Sequence, residues 1–545
     1  MVASAFEGFH GKVVQRGDET YEQCVYQYAW SSLINKGPIE PEAIIYAKDD
    51  NDVITAINYA NNNNVAVAVR TGGHQYSGAS STSGRNIQLD LSSTFTDFHW
   101  DNADHSQATL GISTDLGRFQ TELGKHGRFL PMGVCRQVHM GGHLQTGGYG
   151  QLIRSFGLLS DYVQKVRIIT ADGQARWVER GRAQDKDLLY AILGGSPGNF
   201  GVITTVTLKV LRDEDYPESR GFRALFLYSE ATLKRLLDVM VDMDETPDTP
   251  GDYDYSLSMM TAVPAEGRPA VIVAFSHWAN LEGRNQPYNP GFFEKILKAG
   301  GTPMPYLGTF LDGTTHTTMS ELSSHFLLPV ARVFPFPYRK HTNLSNSNAA
   351  TLRESNWTQW VSARVEDLEK VPSNGCYIGA QFLYSGGTHS RFIRNAKDGV
   401  TSLSWRDSSF MTTLSVSFDN TESADAEKTA EAWVKTNDSE GVGHVGAKFC
   451  AQDRRILWGS YDLDLPAARE FYFDQEPEKY DRVSAIKKLY DPNHVFTANK
   501  FCVGPLPARI LNPDSTPGGK YVFSEAMQSA DRRANDVARL ALALA

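Results

Sequence analysis

A histidine and a cysteine, each set in a run of glycines, are the residues of this chain best placed to do chemistry. His74 sits in "RTGGHQYSG" (70–78), which follows the apolar run "VAVAV" (65–69). Cys135 sits in "GVCRQVHMGGHLQTGGYG" (133–150). Glycine lets a backbone turn at positive φ and lets its N–H groups approach an anion with no side chain in the way. Each stretch alone reads equally as a tight turn or as a phosphate nest. The pair says more, because His and Cys are the two side chains nucleophilic enough near neutral pH to bond to an electrophilic ring such as a quinoid flavin. Neither stretch is a nicotinamide fingerprint. No G-x-G-x-x-G follows the first strand, and no Asp stands at the expected distance after it.

These loops need elements to hold them. Val53, Ile54, Ile57 and Ala60 recur at helical spacing, so 50–69 reads as a helix followed by a buried strand. "NIQLDL" (86–91) and "ATLGIS" (108–113) read as strands, and 114–127 as a helix capped by Thr114 and closed by Gly127. Residues 163–179 read as a hairpin turning at "ADG", "DLLYAILGG" as a short helix, and 200–212 as one long strand. After about residue 213 the texture changes. Strands at 253–260, 270–278, 376–384 and 411–418 alternate with helices such as "ATLKRLLDVMVDM" and "TQWVSARVEDLEKV", which predicts a second sheet with helices on one face. A last helix in 479–496 is stopped by Pro492, and 504–545 reads as a loosely attached tail. The fold class expected is α+β.

The bulk properties narrow the function. A chain of 545 residues is too long for one ordinary core. Its 41% apolar and 11% aromatic content describes a packed globular protein. Net charge is −10 with both signs interspersed and no Lys/Arg block, which argues against nucleic acid and anionic membranes as partners. No apolar run approaches the roughly 20 residues that span a bilayer. No basic start followed by an apolar core opens the chain, so the expectation is an intracellular protein or a processed secreted form. Sequons at Asn343, Asn356 and Asn437 would matter only in the second case. Five cysteines (Cys24, Cys135, Cys376, Cys450 and Cys502) are too few for a disulfide scaffold and match no zinc spacing, so no metal is expected.

Taken together, the motifs resemble those of the berberine-bridge-enzyme-like group of the vanillyl-alcohol-oxidase superfamily, with the flavin-binding fold of p-cresol methylhydroxylase. The two glycine stretches carry the resemblance, along with "FGLLSDYV" (156–163), "GGSPGNFGVIT" (194–204), "YDLDL" (461–465) and "YDPNHVFTANK" (490–500). They run in order over roughly 20–503. The resemblance implies FAD attached twice, through His74 to the 8α-methyl carbon and through Cys135 to flavin C6. It implies a flavin domain over 1–212, a substrate domain with a mainly antiparallel sheet over 213–455, and a segment over 456–503 that returns to the flavin domain. Cofactor contacts then fall on Thr71, Gly72, Gly73, Gln75 and Gly78 in the first stretch. In the second they fall on Gly141, Gly142, Gly147, Gly148, Tyr149 and Gly150. Asn199, Gly201, Val202 and Asn499 complete the set. Arg70 faces either a phosphate or the surface, and His143 reads as structural.

The residue three after the flavin cysteine, Val138, is by resemblance the gate for oxygen. A valine there implies an oxidase that releases hydrogen peroxide, whereas His139 and Met140 depart from the small apolar residues usual beside it. Tyr76 is placed by resemblance over the flavin, where it positions substrate or shares in proton transfer. In 411–418 alternation puts Thr412, Leu414, Val416 and Phe418 on one face and Thr413, Ser415 and Ser417 on the other, the candidate cavity side. Gln381 and Tyr384 fall on opposite faces of their strand, so at most one points inward. Tyr461 is a further candidate of uncertain register. The expected reaction is hydride transfer from an alcohol, a sugar hemiacetal or an activated C–H, with O2 as acceptor. The hydroxyl-rich face leans to a carbohydrate or polar alcohol, and the aromatics suit a phenolic. A dehydrogenase with another acceptor, or a flavin-loaded binding protein, are the alternatives.

Overall fold

The structure is a computed structural model. It describes residues 6, 8–25, 40–75, 79–262, 267, 269–281, 288–305, 311–326, 338–345, 349–371, 374–441, 473, 477–499 and 501–504. The architecture is mixed α and β with several sheets.

The first sheet has four strands in the order β1-β2-β4-β3: β1 (Lys12–Gln15), β2 (Ala43–Tyr46), β3 (Val67–Arg70) and β4 (Ile87–Asp90). β2 and β3 both run parallel to β4. Helix Asp50–Asn63 covers it. Asp49 caps that helix by accepting the N–H of Asn51 at 2.8 Å and of Asp52 at 3.1 Å. Val53, Ala56, Ile57 and Ala60 form its buried stripe.

The second sheet runs β5-β6-β10-β8-β9, made of β5 (Phe98–Trp100), β6 (Gln107–Gly111), β8 (Val163–Ile169), β9 (Ala175–Glu179) and β10 (Val202–Lys209). The expected hairpin is β8–β9. The single strand expected over 200–212 is broken instead. β10 ends at Lys209, and the short β11 (Leu211–Arg212) leaves to pair with β7 (Arg128–Phe129). The helix expected over 114–127 spans Leu116–Gly124, and its cap is Asp115, not Thr114. The Asp115 carboxylate takes the Arg118 N–H at 2.9 Å, a better acceptor than a hydroxyl for that donor.

The third sheet has seven strands in the order β15-β12-β14-β13-β17-β18-β16. They are β12 (Arg220–Leu227), β13 (Tyr253–Met260), β14 (Val271–Trp278), β15 (Leu311–His316), β16 (Tyr338–Ser345), β17 (Cys376–Tyr384) and β18 (Phe410–Phe418). Every pairing in it is antiparallel. One face is apolar. Tyr255, Leu257, Met259, Ile378, Ala380, Phe382, Leu414 and Val416 share a core with helices Glu230–Glu245, Gly291–Gly300 and Trp357–Glu369. Alternation of side chains along each strand sends the other set to the opposite face.

Helix Pro477–Tyr490 and the residues after it pack back on the first core, where Val483, Val495, Phe496 and Val503 lie beside Val67 and Ile169. The Val67 N–H bonds the Val495 carbonyl at 2.7 Å. The buried Arg154 joins the two halves. It donates to the carbonyls of Gly386, Pro250, Tyr253 and Thr249 from inside the seam.

Candidate functional site

The polar face of the third sheet and the two glycine stretches enclose one cavity of about 310 Å3. From the first stretch it is lined by Thr71, Gly72, Gly73, His74 and Gln75. From the second it takes Gly133, Cys135, Val138, His139, Gly141, Gly142, Tyr149 and Gly150. So His74 and Cys135, 61 positions apart in sequence, reach the same space.

Glycine is required here by packing as much as by conformation. A Cβ on Gly72 would meet the His139 ring at 2.9 Å, and one on Gly141 would meet the Thr71 side chain at 2.9 Å. The two stretches therefore interlock backbone to side chain, and their peptide groups form the wall. The second stretch is less a loop than expected, because Met140–Gln145 is a short helix. Gln145 ties it to the third glycine segment, accepting the Gly198 N–H at 3.1 Å and donating to the Gly141 carbonyl at 2.8 Å. Pro197, Gly198 and Gly201 complete that side of the cavity.

The sheet side is a ladder of neutral polar groups. Ser258 on β13, Gln381 on β17 and Thr413 on β18 are successive cross-strand partners. Ser256 lies one step along the face and Ser415 one step the other way, and all five line the cavity. Ser417 does not. Gly379 and Met260 lie among them. No Lys, Arg, Asp or Glu lines the cavity among the described residues.

Burial depresses the pKa of two histidines in the lining. His143 is held neutral, its pKa pushed down to about 4 by desolvation, and its Nε2 accepts the Gly133 N–H at 3.0 Å. His139 is also depressed by burial, against a weaker opposing pull from Asp115 and Asp90. Its Nδ1 is buried with no hydrogen-bond partner among the described residues. His74 lines the cavity beside Gln75, whose Oε1 is another buried atom without a partner among the described residues.

Several expected site residues lie elsewhere. Arg70 is buried and does not line the cavity. The parallel register sets it opposite Asp90, whose carboxylate it meets at 2.6 Å, and it also bonds the carbonyls of Cys24 and Val25. Tyr384 points away from the cavity into the helical core. Its hydroxyl bonds Asp244 at 3.1 Å, its ring lies 5.2 Å from the Arg154 guanidinium, and burial followed by the Asp244 charge raises its pKa. Gly147 and Gly148 sit behind the wall, at φ +99° and +72°, where they turn the chain beneath Leu158 and Leu159. Val202 is core. Asn199 and Asn499 are clamps. Asn199 accepts the Val503 N–H at 2.7 Å, and Asn499 donates to the carbonyls of Ala79 and Ser81, both at 2.8 Å. Tyr76, Gly78 and Tyr461 lie outside the described residues, as does the 505–545 tail.

The sequence reading missed Ser256, Ser258 and Gln151 in the lining and Lys487 behind it. The serines were legible by the same alternation that picked out Thr413 and Ser415. Lys487 was not, because its partner, the Asn199 carbonyl at 2.6 Å, is a backbone atom 288 positions away.

The lining fits a flavin dinucleotide in its donor set. It offers backbone and neutral side-chain donors for a diphosphate, two nucleophiles for a ring, and room at Gly142, where a Cβ would meet nothing within 4 Å. Residues 41–179 match the family model described as an FAD binding domain. An FAD-linked oxidoreductase from Dictyostelium discoideum is 29% identical over 297 residues, 54% of this chain and 59% of the relative. Berberine bridge enzyme-like 19 from Arabidopsis thaliana is 33% identical over 175 residues, 32% of this chain and 30% of the relative. The chain thus spans less than two thirds of the length of these relatives. Among solved structures, glucooligosaccharide oxidase from Acremonium strictum, with its 6-S-cysteinyl, 8α-N1-histidyl FAD, superposes with a TM-score of 0.69 at 17% identity, covering 91% of this chain and 97% of that one. The 6-hydroxy-D-nicotine oxidase of Arthrobacter nicotinovorans gives a TM-score of 0.69 at 18% identity, covering 92% and 99%.

Proposed function

We propose that this chain, an FAD-binding-domain protein related to the berberine bridge enzyme-like proteins, is an oxidoreductase with FAD bonded to both His74 and Cys135. Its substrate in this reading is a hydroxyl-bearing small molecule. One observation carries it: two nucleophiles from separate glycine segments line a single cavity whose far wall is a ladder of neutral hydrogen-bonding groups. When bound, FAD supplies a hydride acceptor and a route for the electrons to O2, with hydrogen peroxide as product.

The chain's own residues do the rest. The glycine walls let backbone N–H groups approach the cofactor, and the Gln145 clamp keeps the second and third segments in register. Gln381, between Ser258 and Thr413, binds and orients a hydroxyl. A sugar or polar alcohol matches that wall better than an ionic substrate, since among the described residues no charged group there would pair with it. His139 lines the cavity with its Nδ1 buried and unpaired among the described residues, and that imidazole is one candidate to take the proton of a substrate hydroxyl. Tyr76 and Tyr461 are the other candidates for that role.

The test is acid precipitation followed by mass spectrometry of the flavin-bearing peptides, with peroxide release measured on oligosaccharides and alcohols. FAD mass on both the His74 and the Cys135 peptides is expected. A colourless pellet with free FAD in the supernatant removes the double linkage. A second reading, a dehydrogenase of the same fold, is motivated by a bulky imidazole, His139, standing in the lining next to Val138. Oxygen consumption with a reducing substrate separates the two.

A further inference from the structure

Two buried polar atoms in the cavity wall have no hydrogen-bond partner among the described residues, and the reading above gives neither of them a specific task. They are Oε1 of Gln151, 8% exposed, and Oγ of Ser256, 3% exposed. Both residues line the cavity, yet they come from different elements. A buried acceptor or hydroxyl left unpaired costs free energy, so such atoms are retained where something else satisfies them.

The fold brings these two residues to one end of the cavity. Gln151 lies just before the short helix Ile153–Phe156. That helix is docked on β13 through the Asp254 carboxylate, which accepts the N–H of Arg154 at 2.6 Å and of Ser155 at 2.8 Å. Asp254 is two residues from Ser256 on the same strand and therefore on the same face. Leu152, next to Gln151, shares a small core with Phe275, the cross-strand partner of Ser256. The end of the second glycine segment and the start of the polar ladder are thus joined by a fixed, buried contact.

We infer that Gln151 and Ser256 form a specificity subsite for a second hydroxyl of the substrate, apart from the group that Gln381 orients. A carboxamide and a hydroxyl together satisfy a guest that both donates and accepts, which is the property of an alcohol and not of a ketone, an ether or an ammonium group. The terminal torsion of glutamine is broad and the serine hydroxyl turns about one bond, so both atoms adapt to a guest without backbone movement. The subsite rests on the FAD-oxidoreductase reading for its place beside a reacting centre.

The experiment compares the purified holoprotein with Gln151→Leu and Ser256→Ala. Flavin absorbance, Tm and the dissociation constants of glucose, cellobiose and 2-deoxyglucose, read from perturbation of the flavin spectrum, are measured for each. The expected result is full flavin content, Tm unchanged or raised, and sugar affinity weakened roughly 5- to 10-fold per substitution, the loss of about one hydrogen bond. Removing an atom bonded within the protein would instead lower Tm and leave affinity alone, and that result overturns the subsite. Intact flavin in the wild type with no response to any of these sugars overturns the hydroxyl assignment while the FAD reading stands. A wild type without flavin overturns the FAD reading, and the Tm comparison then still decides whether the two atoms are bonded inside the protein.

Discussion

Replacing His143 by glutamine should flatten the acid side of the stability profile. The His143 Nε2 accepts the Gly133 N–H at 3.0 Å, and its ring lies 3.0 Å and 3.2 Å from where a Cβ on Gly133 or on Gly148 would stand. The imidazole therefore fills the gap between the two ends of the second glycine segment and must be neutral to accept. Burial lowers its pKa from 6.5 to about 4. In the unfolded chain the ring takes its proton near pH 6.5, and in the folded protein only near 4. Its contribution is whole above about 6.5 and is lost as pH falls through that window, because only the unfolded state gains a proton there. The window is about 2.5 pH units wide, and at about 1.4 kcal/mol per unit the full loss approaches about 3 kcal/mol. Glutamine places an amide oxygen near the position of Nε2, keeps the Gly133 bond and does not titrate. Urea unfolding of both proteins at a series of pH values from neutral down to about 4 is the assay. The wild type should lose stability faster, the two curves parting by up to about 3 kcal/mol at the acid end. Parallel curves would refute the claim that His143 is buried neutral.

Lys487→Met should cost about 3–5 kcal/mol in urea unfolding, because it strands the Asp491 carboxylate, now 2.7 Å from Nζ with both side chains fully buried. It should also lower flavin content, since Nζ holds the Asn199 carbonyl of the segment whose Pro197 and Gly198 line the cavity. Tyr384→Phe should cost about 1 kcal/mol through the lost Asp244 hydrogen bond and leave turnover unchanged. A fall in kcat at unchanged stability would return Tyr384 to the reaction.

The glycine segments and the alternating strands were legible because both signals are local. A G-G-H or G-G-x-G run states its own backbone freedom, and "MTTLSVSF" states its own two faces. What was not legible depends on pairing. Arg70 read as facing either a phosphate or the surface, but the parallel register of β3 with β4 sets Asp90 opposite it, 20 positions on. Nothing in "RTGGHQYSG" contains that partner. Gly147 and Gly148 looked the same as Gly141 and Gly142, yet one pair turns the chain behind the wall while the other forms it. Glycine shows that space is tight without showing what fills it. Asn199 and Asn499 were picked from motifs as cofactor contacts, and the structure uses them to hold backbone from distant segments. The long strand expected at 200–212 broke because two sheets compete for it.

The seam between the halves also bears on how the site selects its guest. Arg154 is fully buried and bonds four carbonyls on the side of the third sheet, and its own N–H bonds Asp254. Arg406 crosses the same seam to Asp161 at 2.7 Å, both side chains largely buried. Opening the cavity by moving the sheet away from the glycine segments would break the buried bonds that Arg154, Arg406, Asp161 and Asp254 make across the seam, at several kcal/mol in all. Closure around a substrate by hinge motion is therefore disfavoured. The polar ladder and the glycine walls keep a fixed separation, and discrimination falls to the side chains that line the gap. On this argument substitutions at Ser256, Ser258, Gln381 and Thr413 change which molecule binds, while substitutions at Arg154 or Arg406 change whether the two walls stay together.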